Sequence, residues 1–343
     1  MRIGANPAKS GLPAYTPKKL GIALIVYIPL TEGYFANSLD IFKIQLASLH
    51  ASTPQPFDLL IFDNGSCRAV VAELQRLYEQ KQIDYLALSQ HNLGKAGAWN
   101  WIFAAMPNEL IVYADSDVFF RPGWLQASIE ILEAFPEAGM IAAQPNFFDV
   151  MEGQGKAQHR LYSTAINADE RYAPSEYWPE KAIIEEYCLG IGASEELAAQ
   201  FYQKPLPAIT NKANQLQAVI GASHMQFLIP SKVARQVTPL PSTKALLRAE
   251  TMALDYKIDD LGFLHLSTLK PYVFHMGNTL NDRVRDAAGT VDLPSIQERS
   301  AGRSGRAVSP SKSWLSALAK RPRFNRFFRR IYNLLFQVLY TEH

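Results

Sequence analysis

The chain has 343 residues, enough for one large or two modest domains with an ample core. Its apolar share of 48%, charged share of 19% and net charge of +2 are those of a soluble globular protein, and they exclude a nucleic-acid binder that works through its overall field. Cys67 and Cys188 supply neither a disulfide framework nor metal-ligand spacing, so a reducing compartment fits. No apolar run reaches the ~18 residues of a bilayer-spanning helix, and the first such run, Gly21 to Pro29, lacks a cleavage pattern.

Residues 1–19, rich in Pro, Gly and Lys, read as a flexible lead-in. Leu20 to Ile28 then reads as a strand, and Thr31 to Leu49 carries apolar residues at helical spacing. Phe57 to Phe62 is a second strand, ending in Asp63-Asn64-Gly65-Ser66. Ala69 to Lys81 is a helix with Val70, Leu74, Leu77 and Tyr78 on one face. Ile83 to Leu88 is a third strand. His91-Asn92-Leu93-Gly94-Lys95 follows and runs into a helix that ends near Met106-Pro107. Strand–helix alternation with short connections predicts a parallel sheet covered by helices.

The fourth strand, Leu110 to Ala114, is the one the rest is organised around. It ends in Asp115-Ser116-Asp117, ahead of a helix after Trp124. Every polar cluster so far follows a strand, and in such a sheet those ends share one ligand cleft. Paired carboxylates there suit a hard divalent cation bridging to substrate phosphates. Asp63 and Asn64 can accept and donate to a base or ribose. Gly94 lets backbone approach closely at a helix start, where N–H groups favour phosphate and Lys95 adds charge.

Gly139 to Gln144 reads as a further strand. The stretch from Asn146 to Thr210 is less legible, with a polar loop at Glu152 to Gln158 and a helical piece around Ser194 to Tyr202. Leu216 to Ile220 and His224 to Ile229 read as strands around Gly221-Ala222-Ser223. Leu246 to Leu261 reads as a helix stopped by Gly262. Phe263 to Leu266 and Pro271 to Phe274 are short strands, the second leading to His275. That histidine can be a third metal ligand, touch a diphosphate, or be held structurally. Leu280 to Pro310 reads as polar and mobile, with a linker at 291–310. Residues 311–343 form a basic amphipathic segment, with Phe324, Phe327, Phe328, Ile331, Leu334, Leu335 and Val338 at three-four spacing beside Arg323, Arg326, Arg329 and Arg330.

Four stretches together resemble the inverting nucleotide-sugar glycosyltransferases of family 2, with the GT-A fold. They are Val26-Tyr27-Ile28-Pro29, Asp63-Asn64-Gly65-Ser66, the run from Asn92 through Gly94 and Lys95 to Asn100, and Asp115-Ser116-Asp117. The resemblance implies a Rossmann-like α/β domain over 20–290, with a mixed, mostly parallel sheet flanked by helices. Residues 20–144 would be its nucleotide-sugar half and 145–290 its acceptor half. It implies donor contacts at Pro29, Asp63, Asn64, Asn92, Gly94, Lys95, Asn100, Asp115 and Ser116. It implies Mn²⁺ or Mg²⁺ at Asp115, Asp117 and His275.

Such a reaction moves a sugar from a nucleotide diphosphate to a hydroxyl of a glycan or lipid-linked acceptor, with inversion. The cation neutralises the leaving group, and a carboxylate takes the hydroxyl proton. The family's adjacent acidic pair is absent here, which leaves Glu250 and Asp255, ahead of Gly262, as candidate bases. Asp259 and Asp260, near the helix end, read as solvated. Two rivals are a catalytically inactive sugar-nucleotide or scaffold module and a haloacid-dehalogenase-type phosphatase. The second wants Thr or Val where Phe119 stands, and its motif on the first strand. The basic tail predicts a cytoplasmic protein resting on the anionic inner face of a membrane.

Overall fold

The computed structural model describes residues 15–147, 170–241 and 248–291, and of 248–251 the backbone alone. The first half runs β1 (Leu20–Val26), α1 (Ser38–Ser52), β2 (Phe57–Asn64), α2 (Arg68–Glu79), β3 (Tyr85–Ser89), α3 (Gly94–Ala105), β4 (Leu110–Asp115), β5 (Val118–Phe120), α4 (Trp124–Ala134) and β6 (Ala138–Ala142). The second runs β7 (Tyr172–Tyr177), α5 (Lys181–Ile191), α6 (Glu195–Phe201), β8 (Leu206–Asn211), β9 (Gln217–Ile220), β10 (Gln226–Pro230), α7 (Ser231–Val237), α8 (Arg248–Asp260), β11 (Leu264–Ser267), β12 (Val273–His275) and α9 (Asp282–Ala288).

Ten strands form one sheet in the order β3-β2-β1-β4-β10-β6-β11-β9-β8-β7, and β12 pairs with β5 beside it. Following the ladders, β1, β2, β3, β4, β6, β8 and β11 run one way and β7, β9 and β10 the other. The sheet is therefore mixed and mostly parallel. Its middle strands are buried on both faces, which is why they read as continuous apolar runs. Alternate residues face opposite layers. Ile22, Leu24 and Val112 meet Phe42, Leu74 and Trp124 of α1, α2 and α4. Ala23, Ile25 and Tyr113 meet Trp99, Phe103 and Leu254 of α3 and α8. Each fully buried large side chain of this kind contributes about 1.5–3 kcal/mol.

Several elements depart from the sequence reading. Strands β7 and β8 and helix α5 occupy ground that read as irregular. The helix packs Ile184 on Phe147, Phe201 and Leu206, so its stripe is visible only once those partners are in place. Helix α7 follows β10 directly from Pro230. Helix α9 replaces part of the stretch read as mobile: Asn281 caps it by accepting from the Val284 N–H at 3.0 Å, and Val284 and Ala288 bury against Ile41, Ile44 and Phe119. The polar loop at 152–158, most of the lead-in, the linker beyond 291 and the tail lie outside the described residues. Among the described residues no helix is long and apolar enough to cross a membrane.

Candidate functional site

The end of β1 collects the motifs. Val26 pairs with Asp63 of β2 and Ile25 with Asp115 of β4, so both acidic strand ends flank one strand terminus. Strand β10 runs antiparallel to β4, with Gln226 opposite Ala114. Its entry therefore arrives at the same edge, and the Asp115 N–H donates to the Met225 carbonyl at 2.8 Å. A turn at Ser116 and Asp117 reverses the chain into β5, whose partner β12 sets His275 opposite Val118. Residues some 160 apart in sequence thus come together through two ladders.

The two aspartates are held differently. Asp115 accepts from the Tyr113 hydroxyl and lies 2.8 Å from the Lys95 Nζ at the start of α3. Its carbonyl accepts from the side chain of buried Gln45 at 2.6 Å. Asp117 Oδ2 is 3.1 Å from His275 Nε2, while its Oδ1 is buried with no hydrogen-bond partner. Burial pushes the His275 imidazole down, but the charge and hydrogen bond of Asp117, with Asp115 and the Gly190 carbonyl, outweigh it. The net shift is above the ordinary value. Among the described residues no set of three or more His, Cys, Asp or Glu is already gathered around one point as metal ligands.

The nucleotide-side motifs are knitted to one another. Asp63 accepts from the Ser66 N–H, and burial raises its pKa against the hydrogen bonds of Ser66 and Gly65. Gly65, at φ +91°, needs its missing side chain: a Cβ there would stand 3.1 Å from the Asn92 nitrogen. Asn64 accepts from the Leu93 N–H at 2.8 Å and donates to Asn92 Oδ1 at 3.1 Å. Asn92 in turn accepts from the Gly94 N–H at 2.8 Å. Pro29 and Ser116 are half-buried at the same edge. Asn100 faces elsewhere. Its amide donates to the Leu240 carbonyl at 2.8 Å and accepts from the Leu240 N–H at 2.6 Å, a two-point clamp on backbone.

Across the edge, Asp255 of α8 lies 2.8 Å from His224 Nε2 and 3.6 Å from His265 Nδ1. Glu250 falls where only backbone is described. Asp259 corrects the sequence reading: it is buried rather than solvated, with Oδ1 3.1 Å from the Nε2 of fully buried His265. Burial lowers the His265 imidazole, yet the Asp259 hydrogen bond and the charges of Asp255 and Asp259 raise it beyond its ordinary value.

A cavity of about 250 Å³ opens between these groups and α5, lined by Phe147, Ile183, Tyr187, His224, Phe274 and His275 among others. Glu186 on its wall takes both Arg121, at 2.9 Å, and Arg283, at 3.0 Å. Sequence reasoning missed His224, Glu186 and Arg283. The only signal for His224 was its place beside a glycine-bearing strand entry, and nothing in the pattern told which way that strand runs.

Residues 35–189 match the model of glycosyl transferase family 2. An uncharacterized glycosyltransferase of Nostoc sp. is 30% identical over 112 residues, 32% of this chain and 33% of that protein. The chain thus matches only about a third of the length of that relative. In shape the chain is similar to a mannosyltransferase of Pyrobaculum calidifontis solved with GDP-Man and Mn²⁺, at TM-score 0.44 and 12% identity, over 74% of this chain and 55% of that one. It is similar also to a glucosyl-3-phosphoglycerate synthase of Mycobacterium tuberculosis solved with Mn²⁺ and UDP, at TM-score 0.41 and 14% identity, over 84% and 82%. At those values the likeness in shape says nothing of donor or acceptor.

Proposed function

We propose that this chain, whose residues 35–189 match the model of glycosyl transferase family 2, moves a sugar from a nucleotide-diphosphate donor to a hydroxyl of a glycan or lipid-linked acceptor, with inversion. The observation that carries the reading is the meeting of two acidic strand ends, Asp63 and Asp115, with Asp117–His275 on one side and Asp255–His224 on the other.

The residues fit a divalent cation. Asp117 keeps a buried oxygen without a partner, and Asp115 already receives positive charge from Lys95. A carboxylate pair suits Mn²⁺ or Mg²⁺, and His275 adds a nitrogen. Bound there by Asp115, Asp117 and His275, the cation would neutralise charge gathering on the departing diphosphate. The chain's own part is orientation. Asp63 and the Asn64–Asn92 bond shape a cradle for base and ribose, with Pro29 at its rim. The Gly94 start of α3 presents N–H groups and Lys95 to phosphate. Ser116 holds the turn between the two aspartates, and Asn100 braces α3 from behind by its clamp on Leu240. On the acceptor side, Asp255, or else Glu250, supplies the basic charge against which a hydroxyl loses its proton. The Asp255–His224 contact weighs against an inactive module. The tail, 311–343, would hold the enzyme peripherally at the inner membrane face, where an envelope glycan or lipid-linked acceptor is found.

A panel of nucleotide sugars tests the reading. With Mn²⁺, one donor should raise Tm by mass action and be turned over to free nucleotide diphosphate. A chain that neither binds nor cleaves any of them would remove the donor assignment.

A further inference from the structure

Three His–Asp contacts on the acceptor side are not absorbed by the motif reading. They form a chain: Asp259 Oδ1 to His265 Nε2 at 3.1 Å, His265 Nδ1 to Asp255 Oδ1 at 3.6 Å, and Asp255 Oδ1 to His224 Nε2 at 2.8 Å. His265 is fully buried, Asp259 nearly so, and the chain reaches solvent at Asp255 and His224, both partly exposed. His224 lines the cavity that also carries His275 on its wall, whereas Asp255 does not.

We infer that His224 takes the proton from the acceptor hydroxyl, and that Asp255 acts through it as a positioning residue. This rests on the glycosyl-transfer reading above. The Asp255 contact assigns the neutral tautomer: Nε2–H donates to the carboxylate, and the lone pair stands on Nδ1. In the step, the hydroxyl proton passes to Nδ1 and the acceptor oxygen bonds to the anomeric carbon. The bond from that carbon to the diphosphate oxygen breaks, and its electron pair leaves on the diphosphate. The imidazolium so formed lies against the Asp255 carboxylate. An imidazole is a better match to this work near neutral pH than a carboxylate, whose ordinary pKa is roughly two units lower. His265 behind Asp255, itself tied to Asp259, fixes the carboxylate that fixes the ring. Trp99 flanks His224, with ring centroids 6.3 Å apart.

The other titratable groups on the cavity are committed. Glu186 is paired with Arg121 and Arg283. Burial pushes the Tyr187 phenol well up, and His275 is bound to Asp117.

The test uses the full chain with Mn²⁺ and UDP-glucose, UDP-N-acetylglucosamine or GDP-mannose, with water as acceptor, following nucleotide diphosphate release. His224→Ala should lose ~10²-fold or more in rate while donor-induced thermal shifts stay as in the parent. Added imidazole should restore at least about tenfold, in proportion to its unprotonated fraction, which a merely structural histidine would not show. Asp255→Asn should lose less than His224→Ala and gain nothing from added imidazole. If His224→Ala keeps its rate, or imidazole gives no rescue while Asp255→Asn falls at least as far, the inference is overturned and the glycosyl-transfer reading stands. If the parent binds and cleaves none of the three donors, both fall.

Discussion

The parallel half of the sheet, β1 to β4, and the half from β6 to β11 place their charged groups by different means. In the first, each polar group sits at or just after a strand end and is held by groups in its own loop or in another loop at the same sheet edge. Asp63 is turned by Ser66, and Asn64 reaches the next loop at Asn92 and Leu93. Parallel strands with short connections bring such ends together without further instruction. In the second, strands run in both directions and the groups come from a helix face, a strand interior and a strand entry. Asp255, His265 and His224 meet only when α8, β11 and the start of β10 are packed. The lesson is that a site can be half written in local motifs and half in long-range packing, and that mutations should tell the halves apart.

The largest effect is expected at the joint between them. Asp117 stands on the turn after β4 but is paired with His275 from β12. Asp117→Asn should lower metal-dependent transfer by ~10³-fold, the scale of removing charge stabilisation from a leaving group, with Tm nearly unchanged. Full turnover of the purified variant at saturating Mn²⁺ would end the metal assignment.

Asn100 sharpens the contrast from the other direction. It belongs to α3 in the first half, and its motif position suggests a donor contact, yet its amide clamps Leu240 of the second. Asn100→Ala should therefore cost about 1–3 kcal/mol of stability by leaving the buried Leu240 N–H and C=O unpaired. Donor affinity in the surviving folded protein should hold. Chemical denaturation and donor titration on one preparation separate the two outcomes, and lost affinity at unchanged stability would return Asn100 to the donor site.

A smaller, pH-dependent difference is expected from the second half. The folded pKa of His265 is raised above its ordinary 6.5, so its contribution to stability is complete below that value. The contribution is lost as pH rises through the folded pKa. Tm should fall from pH 6 toward pH 9, and His265→Gln should flatten that slope. Parallel slopes in parent and variant would place the titration elsewhere.

Legibility followed the same divide. The strands from Leu20 to Asp115 were readable because buried parallel strands give continuous apolar runs and their loops carry glycine and Asx punctuation. Helix α5 was not, because its buried stripe reduces to Ile184 and its partners Phe147 and Phe201 lie on either side of it in sequence. Asp259 looked solvated since a helix end rich in acid usually is, and only β11 supplies the buried histidine that changes the outcome. Gln45 reads as one polar position on a helix, while its contact with the Asp115 carbonyl spans 70 residues.

The smallest effect on the chemistry, and a test of whether a third region adds anything to the two halves, concerns residues 311–343. These lie outside the described residues. Arg323, Arg326, Arg329 and Arg330 sit beside an apolar stripe that includes Phe324, Phe327, Phe328 and Leu335, with no acidic residue before Glu342. Basic residues near an anionic surface contribute on the order of 1 kcal/mol each, and the aromatics can enter the acyl boundary. Four such charges would give reversible binding that weakens with salt, since the attraction decays over a Debye length of about 8 Å at physiological ionic strength. A chain ending at Pro310 should therefore keep its rate on a soluble donor within about twofold, yet lose co-sedimentation with vesicles containing phosphatidylserine. The full chain should bind those vesicles at low salt and release from them as salt rises. Equal binding by both chains, or binding by neither at low salt, would mean that the tail does not carry the enzyme to a membrane.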